Sequence, residues 1–60
     1  MVTITAELTE DEAWALAQFL KRLTYTDCRS HAVDGGEAYT MISAADKIRE
    51  SLADVGFAPR

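Results

Sequence analysis

Two groupings of residues in this chain could do chemistry. One is Cys28 with His31; the other is the set of carboxylates Asp46, Glu50 and Asp54 in the stretch "AADKIRESLADVG". A cysteine and a histidine three residues apart can meet on a helical turn, and such a pair is the minimum for thiol nucleophilic chemistry. Catalysis also needs an oxyanion-stabilising group and a pocket shielded from water. The chain holds one Cys and one His, and it is too short to wall off a pocket. As metal ligands the pair makes half of a tetrahedral zinc site, which only a second copy could complete. Gly35-Gly36 is not a phosphate loop, because no Lys-Ser/Thr follows and Glu37 would repel a phosphate. The sequence therefore reads as a non-enzyme without metal or cofactor, with Cys28 structural or exposed.

The carboxylates ask a different question. At four-residue spacing on a helix they rise one turn at a time, about 6 Å apart. The apolar stripe of the same segment centres on Met41, Ile48 and Leu52, and the three acids lie well off it beside Tyr39 and Ser43. Like charges so placed cost a few tenths of a kcal/mol per pair. Asp46–Arg49 and Lys47–Glu50, at three-residue spacing, offset part of that cost. Two readings follow. The plain one is a solvated helix face. The functional one is a row of carboxylates that imitates the spaced charges of a nucleic-acid backbone towards a basic protein, extended by Asp34 and Glu37. On the second reading the partner-binding residues are Asp46, Glu50, Asp54, Tyr39, Asp34 and Glu37.

Charge and size favour a protein partner. The 60 residues carry a net charge of -4, and the six basic residues, Lys21, Arg22, Arg29, Lys47, Arg49 and Arg60, are scattered. Non-specific nucleic-acid binding rests on phosphate neutralisation by Lys and Arg, so direct binding is disfavoured. The field of such a chain attracts basic surfaces. A lone cysteine excludes an internal disulfide and fits a reducing compartment. The start "MVTITAEL" has neither the basic nor the apolar region of a signal peptide, and no apolar run is long enough to span a bilayer. The expectation is a single cytoplasmic domain, residues 1–60, within a host bacterial cell. So small a chain buries only about 60% of its unfolded surface, and it needs well-packed helices or oligomerisation to be stable.

The elements that position these residues are legible as periodicities. Residues 2–8, "VTITAEL", alternate Val2, Ile4, Ala6 and Leu8 against Thr3, Thr5 and Glu7, the pattern of a half-buried strand. Thr9 and Glu12 form a capping box before a helix over 10–23, whose stripe is Ala13, Leu16, Leu20 and Leu23, widened by Ala17 and Phe19. Trp14 falls at the margin of that stripe. Thr26 is an N-cap for a short helix or turn over 27–32. Asp34 caps a long helix over 36–55 that carries Ala38, Met41, Ala45, Ile48, Leu52 and Val55. It ends at Gly56, with Phe57 folding back on Leu52 and Pro59 forbidding continuation. The expected fold is mostly α (small α+β): one N-terminal strand, then two long antiparallel helices with a short helical turn between them. A single strand leaves its edges open. It could pair with the strand of a second copy in a homodimer, with the "GFAPR" tail, or with a partner's sheet edge.

Two resemblances bear on the choice. The strand "TITAEL", the helix "TEDEAWALAQFLKRL" and the Thr26 cap resemble the first half of ribbon-helix-helix repressors. In that family, two strands pair across a dimer and their outward side chains read the DNA major groove. Here those positions are Thr3, Thr5 and Glu7, with no Arg, Lys, Asn or Gln, so the resemblance implies a dimeric ribbon more than a DNA reader. The segments "LAQFLKR", "EAYTM" and "GFAPR" are similar to a family of small uncharacterised phage and prophage proteins of proteobacteria. That resemblance implies a setting in which small acidic proteins act as anti-CRISPR inhibitors, blocking a basic face of a CRISPR effector. The alternatives it leaves are a dimeric DNA-binding regulator and a structural or accessory phage protein.

Overall fold

The computed structural model describes residues 1–60, and its elements are three helices. α1 spans Glu10–Arg22, α2 spans Tyr25–His31 and α3 spans Gly35–Asp54. α1 begins as its sequence dictates. The Thr9 hydroxyl accepts from the Glu12 N–H at 3.1 Å, and the Glu12 carboxylate accepts from the Thr9 N–H at 2.8 Å. These bonds supply two of the partners that the first turn of a helix otherwise lacks.

The short helix is capped two residues earlier than expected. Thr24, not Thr26, is its N-cap, with Asp27 closing the box: the Asp27 N–H donates to the Thr24 hydroxyl at 3.2 Å, and the Thr24 N–H to Asp27 at 3.0 Å. α3 uses half of such a box. The Glu37 N–H donates to Asp34 at 2.8 Å, while the Glu37 carboxylate reaches past the cap to the Val33 N–H at 3.1 Å. Its far end is a complete Schellman turn, with Phe57 N–H bonding the Leu52 carbonyl and Gly56 N–H bonding that of Ala53. Gly56 has φ +102, the one position where the backbone requires glycine.

The N-terminal strand does not form. Residues 1–9 form an arm with no regular secondary structure and no sheet pairing. Alternation gives a segment a strand-like side-chain pattern, but a strand exists only when a neighbour exchanges its backbone hydrogen bonds. The chain offers no neighbour, and Val2, Ile4 and Leu8 are exposed instead of half-buried. The fold is all-helical rather than α+β.

The core sits where α1 crosses the C-terminal half of α3. Ala13, Ala17, Leu20 and Leu52 form it, with Leu16, Ala45, Ile48 and Phe57 packed around them. Ala17 is fully buried, so the two axes approach closely at that point. The pairing along the full length of both stripes is not realised, because α2 packs on the N-terminal part of α3. Cys28 of α2 and Ala38 of α3 are buried there. Two other expectations fail at the edges: Phe19 and Val55, counted on the stripes, are 60% and 71% exposed. No helix is long and apolar enough to cross a membrane.

Candidate functional site

The structure separates the six candidate residues into two kinds. Asp34 and Glu37 hold the start of α3, as the hydrogen bonds above show. Tyr39 packs its ring on Tyr25, centroids 4.9 Å apart with planes tilted by 40°, and so helps to fasten α2 to α3. These three have work in the fold. Asp46, Glu50 and Asp54 are exposed, and none of the side-chain hydrogen bonds involves them.

Their position follows from helix geometry. α3 meets α1 through Ala45, Ile48 and Leu52, and at 100° per residue the three carboxylates point well away from that face. They form a ridge along the outer side of α3. Asp46 and Glu50 line a shallow recess with Arg49 and Ala53. Arg49 therefore borders the ridge and partly offsets it.

The end of α3 makes the ridge costly. α1 and α2 each end with basic residues, Lys21 and Arg22 in one and Arg29 and His31 in the other, which suits the negative pole of a helix. The last turn of α3 has no basic residue and contains Asp54. A carboxylate there opposes the dipole by roughly 0.3–1 kcal/mol, in addition to the repulsion from Glu50 at i,i+4. The first-turn carboxylates behave in the opposite way. Glu12 is held below its usual range chiefly by the backbone N–H of Thr9, and Asp27 by that of Thr24.

The Cys28–His31 pair does not assemble. Cys28 is 5% exposed, facing the helix packing. His31 is exposed and lines a separate groove with Asp27, Phe19 and Leu23. No three His, Cys, Asp or Glu side chains are grouped so as to hold a metal ion. Sequence reasoning missed Tyr25 as the partner of Tyr39, and Thr24 as a cap. The second had a signal, since Thr24-x-x-Asp27 has capping-box spacing.

The chain belongs to the family of unknown function DUF7706, whose model matches residues 1–60. No curated protein and no solved structure matches it.

Proposed function

We propose that this DUF7706 chain is an acidic protein-binding module that docks the Asp46–Glu50–Asp54 ridge of α3 on a basic surface of a nucleic-acid-handling complex. One observation carries this reading: three exposed carboxylates that make no side-chain hydrogen bond within the fold sit one helical turn apart along α3, the last of them, Asp54, at an end that has no basic residue. A solvated face needs charge, but it does not need charge of one sign placed against the dipole. Carboxylates one helical turn apart can meet Lys and Arg side chains that otherwise grip phosphates. The net charge of -4 would speed encounter with such a surface. The most concrete form of the proposal is an inhibitor of the anti-CRISPR kind, acting in the bacterial cytoplasm and covering the DNA-binding face of a CRISPR effector. That form rests on the resemblance to phage and prophage proteins.

Competition tests it. Fluorescently labelled duplex DNA is titrated with purified CRISPR effector complexes, with and without this protein, and with this protein alone. The proposal expects no binding of DNA by the protein alone at low salt, and displacement of DNA from at least one effector. Direct binding to non-specific duplex would favour the DNA-binding regulator instead.

A further inference from the structure

We draw no further inference here: the strongest candidate, the groove between α1 and α2 lined by Phe19, Arg22, Leu23, Asp27 and His31, carries nothing, because Asp27 offsets its basic side chains and nothing in the structure shows what covers it.

Discussion

The rings of Trp14 and Phe57 meet edge to face, with centroids 4.9 Å apart and planes at 63°, and this contact ties the chain beyond α3 to the start of α1. The Schellman turn aims Phe57 back at the core, so the local backbone rule and the tertiary contact depend on each other. Phe57→Ala should cost roughly 2–3 kcal/mol, below the range for a fully buried Phe because Phe57 is only half-buried. A double-mutant cycle with Trp14→Ala should return a coupling of about 0.5–1.5 kcal/mol by denaturant unfolding. A coupling near zero would mean that the ring contact is incidental.

The crossing of α1 and α3 should be the most sensitive point of the fold. Leu20→Ala and Leu52→Ala each remove a buried side chain and should cost about 2–5 kcal/mol, which in so small a domain means extensive unfolding. Ala17→Leu should also destabilise, by about 1–3 kcal/mol or more, because Ala17 is fully buried between the helices. Circular dichroism melts of the three variants check both claims. A tolerated Ala17→Leu would show that the axes are not in close contact.

Acid should loosen the helix starts. Glu12 and Asp27 have folded-state pKa values below their ordinary 4.5 and 3.8. A depressed carboxylate contributes stability that is present above its unfolded pKa and lost as pH falls through the folded value. Helicity and Tm should thus be flat above about pH 5 and fall below about pH 4.5. Thr24→Ala should cost about 1 kcal/mol at neutral pH, and less at pH 3. An equal cost at both pH values would dissociate the caps from the titration.

Cys28 should react as a buried side chain and His31 as a solvent-exposed one. Alkylation of Cys28 by a maleimide should be slow in the native protein and fast in denaturant, because the thiol is 5% exposed. His31→Ala should change stability by less than about 0.5 kcal/mol. Rapid native alkylation would place Cys28 on the surface.

How much of this was legible in the sequence depends on whether the signal was local. The Thr9–Glu12 box, the Asp34 cap and the Gly56–Phe57 ending were legible, since each involves groups within a few residues of one another. The buried faces of α1 and α3 were legible from three-four spacing: Ala13, Ala17 and Leu20 of α1 and Ala38 and Leu52 of α3 are buried. What failed was everything decided at a distance. The alternation of Val2, Ile4, Ala6 and Leu8 fits a strand, but whether a partner exists is not written in those residues. Phe19 was placed on a stripe by its angle, yet the helix that would cover it is occupied elsewhere: α2 packs on α3. For the candidate site, periodicity put Asp46, Glu50 and Asp54 on the outside, which the structure repeats. Asp34 and Glu37, three residues apart, carried a local signal as the start of α3, but periodicity could not tell that Tyr39 was committed to holding α3 and α2 together, because Tyr25 is its partner only in three dimensions.

The most direct test of the ridge compares the parent with a variant carrying Asp46→Asn, Glu50→Gln and Asp54→Asn. Inhibition of DNA binding by a panel of purified CRISPR effector complexes is measured at low and moderate salt. The variant should melt at the parent's temperature or a few degrees above it, because two i,i+4 repulsions and one unfavourable charge–dipole contact are gone. It should inhibit at least tenfold less well than the parent at low salt, and the parent's own inhibition should weaken as salt rises. A triple variant that inhibits as strongly as the parent, with the same salt dependence, or a parent that inhibits no effector in the panel, would contradict the account.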